Sequence, residues 1–157
     1  MYKRQCGGFQ HALIEYGRNV LGYADAHDVQ YDPDAATPFI IPLCCSLVGE
    51  TAPLYLEPGT LLAGVFGDVE ASDVTYHCKY GLNPDYQEAI AASALRISAW
   101  DAERAPRAVE VVDHPFFVAT LVQPELSSTP QDIHPLIRAF CAAATARAAV
   151  DTATALR

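Results

Sequence analysis

Apolar residues recur at a helical spacing near the start of the chain and predict its first helix over residues 9–21. The residues that share this helical face are Phe9, Leu13, Tyr16, Val20 and Leu21. Gly22 then supplies a C-terminal stop. Cys6, Gly7 and Gly8 come just before the helix, and we expect them to form a sharp turn that opens it.

Short apolar runs separated by turn residues predict strands along the rest of the chain. The strand-bearing segments are 37–47, 56–66, 74–80, 95–101, 108–113 and 116–122. Asn83 and Pro84 predict the N-cap and first position of a helix over 85–94, and Pro135 lies near the start of a long alanine-rich helix over 134–156. This alternation predicts one layered α/β domain with a partly parallel sheet.

Composition and charge exclude several classes of partner. With 157 residues and 51% hydrophobic content, the chain can bury the core of one domain. Its 10 Lys and Arg against 19 Asp and Glu give a net charge of -9, so we expect neither nucleic acid nor an anionic membrane as a partner. The sequence has no apolar run of transmembrane length and no secretory signal pattern, which predicts a cytoplasmic protein.

The cysteines predict free thiols and no bound metal or cofactor. Five cysteines, an odd number without a C-x-x-C motif, are typical of a reducing compartment. Tyr76, His77 and Cys78, together with Cys44 and Cys45, are a possible metal or redox cluster. The spacings of structural zinc sites are absent from it, and metal binding is therefore the less favoured interpretation.

Two further places carry candidate chemistry. A thiolate at Cys6 would lie at the positive end of a helix dipole, which lowers a thiol pKa, although a buried and inert cysteine is the common alternative. Gln123 and Glu125 follow a strongly apolar strand, where parallel α/β sheets place ligands, although an ordinary strand exit would look the same. The combination of a cysteine turn with such an exit favours a hydrolytic site.

Several segments resemble the class I glutamine amidotransferases, and specifically the C-terminal glutaminase domain of CTP synthase. They are CGGFQHALIEYGRNVLG, PGTLLAGVFG, YHCKYGLNPDY and VEVVDHPFFVATLVQPELSSTPQDIHPLIRAFCAAA, in the family's order. The chain is also similar to stand-alone proteins related to that domain. The resemblance implies a three-layer sandwich with a mostly parallel sheet, incomplete at its N-terminus. In the family, glutamine hydrolysis supplies ammonia for the synthesis of CTP from UTP, a step of pyrimidine nucleotide biosynthesis.

The resemblance assigns roles to individual residues. In the family motif G-x-C-x-G-x-Q the cysteine attacks the glutamine side chain, and Cys6, Gly8 and Gln10 match it. By resemblance the Gly7 N–H is one oxyanion donor and Gln10 contacts the substrate, whereas the second donor loop has no counterpart in this chain.

The departures from the family pattern predict weak catalysis. The family's catalytic His-Pro-Glu is Gln123-Pro124-Glu125 here, and an amide cannot shuttle a proton near neutral pH. A family arginine that binds the glutamine carboxylate falls on or near His77, and a family glutamate falls on Gln30. We therefore expect a catalytically impaired domain, a pseudoenzyme of its family.

Three hypotheses remain open from the sequence. The first is a degenerate amidotransferase-like domain that serves as a binding or regulatory module, with an amide or amino acid as ligand and a synthetase as partner. The second is a cysteine hydrolase or redox protein that uses Cys6, with Glu15 or Glu125 nearby, on another substrate. The third is a working glutaminase that recruits His11 or His77 as its base.

The first five residues, MYKRQ, predict a domain boundary. With a GTG start they back-translate as GTG TAT AAG AGA CAG, which is similar to the end of a sequencing-library adaptor. We therefore predict a non-native leader at 1–5 and an amidotransferase-like domain at 6–157 whose N-terminal part is missing.

The remaining conspicuous residues have structural interpretations. We expect His114-Pro115 and His134-Pro135 to mark turns or helix starts, Tyr76 and Tyr80 to pack, and Cys141 to lie in the core.

Overall fold

The computed structural model describes the backbone of residues 4–155 and the side chains of residues 6–149, and within that part the chain forms helices and short strands. The helices are α1 (Arg4–Asn19), α2 (Leu61–Val65), α3 (Gln87–Ala91) and α4 (Pro135–Ala155). The strands are β1 (Ala26–Asp28), β2 (Thr37–Pro42), β3 (Thr51–Leu56), β4 (Ala71–Thr75), β5 (Tyr80–Leu82), β6 (Leu95–Trp100), β7 (Pro106–Val111) and β8 (Val118–Thr120). Single 3₁₀ turns at Pro84–Tyr86 and Pro124–Leu126 precede α3 and α4.

The strands form two sheets whose pairing is mainly antiparallel. One described sheet has the order β4-β3-β6-β7-β8 with antiparallel neighbours, and the other has the order β1-β2-β5, in which β1 and β2 are parallel. The expectation of a mostly parallel sheet is therefore wrong for the described strands. The connections at 101–105 and 112–117 are too short for a crossover, so β6, β7 and β8 can pair only as hairpins.

Helix α1 packs against edge strands of both sheets. It contacts β8 of the larger sheet and β1 of the smaller one, and it buries Phe9 and Leu13 completely. Gly17 permits the close approach, since a Cβ there would lie 3.0 Å from Cζ of Phe39. The helix begins at Arg4, so Cys6, Gly7 and Gly8 are helical and the expected opening turn is wrong. Each helical glycine costs about 1 kcal/mol, which the burial of the apolar face offsets.

Helix α2 occupies Leu61–Val65 of the segment 56–66 expected to carry a strand. The Thr60 hydroxyl accepts a hydrogen bond from the Ala63 N–H at 3.0 Å and so caps the helix. The buried Glu110 carboxylate of β7 accepts hydrogen bonds from the N–H groups of Leu61 at 3.0 Å and Leu62 at 3.1 Å. A residue distant in the sequence thus stabilises a helix that the local apolar run did not predict.

Other local signals are confirmed. The Asn83 side chain accepts a hydrogen bond from the Asp85 N–H and caps the turn before α3. Nδ1 of His134 accepts one from the Leu136 N–H at the start of α4, and Nδ1 of His114 accepts one from the Phe116 N–H in the turn before β8.

The expectation that Cys141 lies in the core is wrong. Cys141 is exposed, because α4 packs near its start against α2 and the turn before it, and its alanine-rich sequence does not define a single buried face. The predicted end of this helix, Leu156, lies outside the described residues.

The larger sheet contains the single tryptophan of the chain and a buried ion pair. Trp100 of β6 donates from Nε1 to Oε2 of Glu57 at 3.1 Å, and the guanidinium of Arg104 lies 4.2 Å from its ring centroid. The buried Arg107 pairs with Asp101. Of the helices described, none combines the length and the apolar character that crossing a membrane requires.

We predict that protonation of His134 destabilises the fold below neutral pH. Burial lowers the pKa of His134, so its neutral form contributes stability above the unfolded pKa that is lost as the pH falls through the folded pKa. His134→Asn keeps a capping acceptor and removes the titration. Urea unfolding between pH 7 and 5 should therefore show a smaller loss of unfolding free energy in this variant than in the unaltered protein.

His114→Asn is the matched control for this measurement, because the exposed His114 accepts an equivalent backbone hydrogen bond. It should keep the pH dependence of the unaltered protein. If the unfolding free energy of His134→Asn depended on pH as strongly as that of the unaltered protein, His134 would not be the group responsible for the loss.

Candidate functional site

Residues 76–79 cross from β4 of the larger sheet to β5 of the smaller one. Tyr76 forms an isolated antiparallel bridge with Val122, beyond β8, and β5 begins at Tyr80. Tyr76 and Cys78 are buried whereas His77 and Lys79 are exposed, as the two-residue period of extended backbone requires. Burial raises the pKa of Tyr76 to about 12, which fits the predicted packing role.

A cavity of about 530 Å³ lies between this crossing segment, the start of α1 and the residues after β8. Its lining residues are Cys6, Gly7, Gln10, Gln30, Tyr31, Val48, His77, Cys78, Lys79, Tyr80 and Gln123. Of the site residues that the family resemblance implies, all but Glu125 line this cavity: Cys6, Gly7, Gln10, Gln30, His77 and Gln123. A cavity of this size is in the range of small-molecule sites.

Cys6 is joined to Cys78 by a disulfide, which corrects the prediction of free thiols for these two residues. Their Cα atoms are 6.3 Å apart across a sequence separation of 72 residues. Such a Cα distance is within the usual range for disulfides. Cys6 is partly exposed on the cavity wall and Cys78 is only 3% exposed. Cys44, Cys45 and Cys141 are free and exposed.

The Gln10 amide lies beside both sulfur atoms. Its Nε2 donates a hydrogen bond to the Tyr80 carbonyl at 3.1 Å and is 3.5 Å from Cys6 Sγ and 3.7 Å from Cys78 Sγ. Gln10 is only 6% exposed, so these contacts satisfy a polar group that would otherwise be buried without a partner. The amide thus holds the start of α1 against β5 and against the segment that carries Cys78.

Gln123 lines the cavity, and its side chain is an amide that does not titrate. Its backbone N–H donates to the Thr75 carbonyl at 3.1 Å, and its buried side-chain Nε2 donates to the His77 carbonyl at 3.4 Å. Glu125 lies in the following 3₁₀ turn and does not line the cavity, and among the described residues its buried Oε2 has no hydrogen-bond partner. This carboxylate therefore orients no imidazole within the described part.

The structure separates the two histidines considered as alternative bases. His77 lines the cavity, whereas His11 is exposed on α1 and does not line it. Glu15 is also exposed on α1, where its carboxylate contacts Arg18 and Asn19. Cys44 and Cys45 follow β2 and lie outside the lining.

Sequence reasoning missed Lys79. It is the one Lys or Arg among the described lining residues. The signal was its position two residues after His77, because residues two apart on an extended segment share a face. In the part of the chain that the structure describes, no group of three or more His, Cys, Asp or Glu side chains is placed to hold a metal ion.

Comparisons with known proteins agree on one relationship. A scan against protein-family models gave no match. CTP synthase from Aeropyrum pernix is 35% identical over 149 residues, which cover 88% of this chain and 28% of the relative. CTP synthase from Clostridium perfringens strain 13 is 39% identical over 148 residues, with the same coverage of 88% and 28%. The chain thus spans a little over a quarter of the length of these curated relatives.

A solved structure shows the same fold. The glutaminase domain of Trypanosoma brucei CTPS, with bound acivicin, matches this chain with a TM-score of 0.82 and 27% sequence identity. The match covers 88% of this chain and 57% of that one. It confirms the predicted amidotransferase fold class.

We predict that the buried Gln10 amide is a stabilising contact. Gln10→Leu keeps a similar volume but leaves the Tyr80 carbonyl without its side-chain donor, which should lower the free energy of unfolding by about 1–3 kcal/mol in urea denaturation. Gln87→Leu is the matched control, because its amide donates to the Arg104 carbonyl at an exposed position and should change stability by less than about 0.5 kcal/mol. Equal effects of the two substitutions would contradict this role for Gln10.

Proposed function

We propose that this chain binds an amino-acid ligand in the Cys6 cavity and hydrolyses glutamine poorly. The chain is homologous to the glutaminase domain of CTP synthase and shares its class I amidotransferase fold. The observation that carries this proposal is the position of Gln123, whose amide stands on the cavity wall with Cys6. The proposed role is that of a binding or regulatory domain.

The lining of the cavity supports recognition of a small zwitterionic or amide-bearing molecule. Lys79 can attract a carboxylate, and the side chains of Gln30, Tyr31 and Gln123 offer neutral hydrogen-bonding groups beside it. A lysine binds a carboxylate as a point charge and lacks the two parallel hydrogen bonds that an arginine makes. We therefore expect weaker binding of glutamine than an arginine would give.

The same lining argues against efficient amide hydrolysis. Attack by Cys6 needs a free thiolate, and the departing amine needs a proton from a nearby acid. The Gln123 amide can neither accept the thiol proton nor return it near neutral pH. In the disulfide form the Cys6 sulfur is also bonded to Cys78 and is not available as a nucleophile.

The relatives extend the proposal to a partner. They are named CTP synthase, and this chain spans only 28% of their length. We propose that a synthetase chain or domain is the partner of this one, and that binding at the cavity is coupled to it. The 157 residues contain no G-x-x-x-x-G-K-[ST] motif, which binds the phosphates of nucleoside triphosphates in P-loop proteins.

A second candidate is a working glutaminase in which His77 is the base. It is favoured by one observation, the presence of His77 and Cys6 on the wall of the same cavity. In this candidate the His77 imidazole would take the Cys6 proton in place of the missing family histidine.

We predict that ammonia release from glutamine does not depend on Cys6. In excess dithiothreitol, which frees both thiols, the unaltered protein should release ammonia within about tenfold of the Cys6→Ala rate, since loss of a triad member commonly removes several orders of magnitude. Cys141→Ala, at an exposed site outside the cavity, is the control for the loss of a thiol.

A fall of about 10²-fold or more in Cys6→Ala, with no change in Cys141→Ala, would overturn the proposal. If His77→Gln then lost the same factor, the second candidate would be correct. Gln123→His tests the missing group directly, and a thiol-dependent rate gained by this variant would show that Gln123 is what limits the reaction.

We predict that Lys79 contributes the charge that holds a ligand carboxylate. Lys79→Gln should weaken L-glutamine binding, measured by calorimetry in excess reductant, by up to about fivefold, because a charge pair at an exposed site is worth up to about 1 kcal/mol. Lys79→Arg should bind at least as tightly as the unaltered protein, because it keeps the positive charge. Equal affinity of Lys79→Gln and the unaltered protein, or no binding by either, would contradict the proposed ligand class.

A further inference from the structure

We propose that Cys6 and Cys78 form a thiol–disulfide exchange site in which Cys6 attacks low-molecular-weight disulfides and Cys78 resolves the product. This inference goes beyond the proposed function, because it assigns the cavity a redox reaction that needs neither glutamine nor Gln123. Its substrate class is a small disulfide of the glutathione type, and its product is the corresponding pair of thiols.

The backbone places the two cysteines for reversible pairing. Cys6 lies in the first turn of α1 and Cys78 in the segment between the two sheets, with Cα atoms 6.3 Å apart. Both elements are fixed independently of the sulfur atoms, because α1 buries Phe9 and Leu13 while the bridge between Tyr76 and Val122 anchors the crossing segment. The fold therefore keeps the two positions adjacent in the dithiol state as well.

Their surroundings give the two cysteines different roles. Cys6 is partly exposed on the cavity wall, so a small disulfide can reach its sulfur. Cys78 also lines the cavity but is only 3% exposed, so it is bonded to Cys6 while little of its surface is open to an external reagent. An accessible attacking thiol and a sheltered second thiol are the two parts that thiol–disulfide exchange requires.

Polar groups around Cys6 favour its thiolate. The positive end of the dipole of the 16-residue helix α1 lies at its first turn, which contains Cys6, and favours negative charge there. The Gln10 Nε2 is 3.5 Å from Cys6 Sγ, and Lys79 brings a positive charge to the same cavity. That charge also suits the carboxylates of a glutathione-type substrate.

The exchange balances without another reagent. The Cys6 thiolate attacks one sulfur of the small disulfide RSSR, forms a Cys6–S–S–R bond and releases RS⁻. The Cys78 thiolate then attacks the Cys6 sulfur, forms the Cys6–Cys78 bond and releases a second RS⁻. The two protons lost by the cysteines are taken up through solvent by the two released thiolates. The protein is oxidised by two electrons and RSSR is reduced by two.

The test uses the whole protein, reduced with dithiothreitol, desalted and incubated with oxidised glutathione in the absence of glutamine. Acid quenching and alkylation with N-ethylmaleimide then preserve the state of every thiol. Trypsin together with a glutamyl endopeptidase separates Cys6 in peptide 5–15 from Cys78 in peptide 71–79, with Cys44 and Cys45 in a different peptide. Mass spectrometry should find peptides 5–15 and 71–79 joined by a disulfide.

The variants distinguish the two roles. Cys78→Ser should retain glutathione on Cys6 at least about tenfold more than the unaltered protein does, because the resolving thiol is gone. In Cys6→Ser, Cys78 should carry no glutathione. Cys141→Ser, at an exposed cysteine outside the cavity, should still give the linked peptides.

One further measurement does not depend on any variant. In the unaltered protein, quenching at successive times should show the Cys6–glutathione adduct before the linked peptides. The proposal is overturned if Cys6 and Cys78 are alkylated as free thiols after oxidation, or if Cys6 keeps its adduct as fully in the unaltered protein as in Cys78→Ser. The ammonia and calorimetry assays are run in excess reductant, so this result stands apart from the test of the proposed function.

Discussion

The candidate site depends on the contact between the start of α1 and the segment that joins β4 to β5. Gln10 reaches across 70 residues of sequence to the Tyr80 carbonyl, and the Cys6–Cys78 bond spans 72. Since the two sheets meet at this segment, the same contact sets the position of the helix against both of them. The cavity is the space left between the helix, the crossing segment and Gln123, so its shape is a consequence of that contact.

The cavity wall combines neutral amides, one lysine and a cysteine sulfur. Lys79 and the amides of Gln30 and Gln123 can hold a ligand, and Cys6 supplies sulfur, yet the amide at position 123 has no ionisable form near neutral pH. Interactions that hold substrate and transition state equally well do not accelerate a reaction. The proposed function accordingly separates ligand binding, which these groups can provide, from proton transfer, which the amide at position 123 cannot.

Local signals predicted those parts of the fold that local interactions determine. The apolar runs of β6 and β7, the Asn83 cap and the start of α4 near Pro135 could all be read from neighbouring residues. Helix α2 could not, because the Glu110 carboxylate that holds its first N–H groups lies 49 positions away from Leu61. The disulfide could not be predicted for the same reason, since a count of cysteines does not tell which distant pair the fold brings together.

In the candidate site, too, some residues could be predicted from the sequence and others could not. A family resemblance indicated Cys6, Gln10, Gln30, His77 and Gln123, and the fold gathers them around one cavity. The position of Lys79 in the lining and the pairing of Cys6 with Cys78 depend on which face of the crossing segment contacts α1. The sequence of one segment alone does not determine that contact.

Trp100 is a spectroscopic probe of the larger sheet and not of the cavity. It is the single tryptophan, its Nε1 donates to Glu57 and its ring is covered by Arg104, so we expect it to dominate the fluorescence excited at wavelengths that tyrosine does not absorb. It does not line the Cys6 cavity. Its emission consequently reports whether the larger sheet is folded. Ligand binding in the cavity, or formation of the Cys6–Cys78 disulfide, does not change a direct contact of the indole.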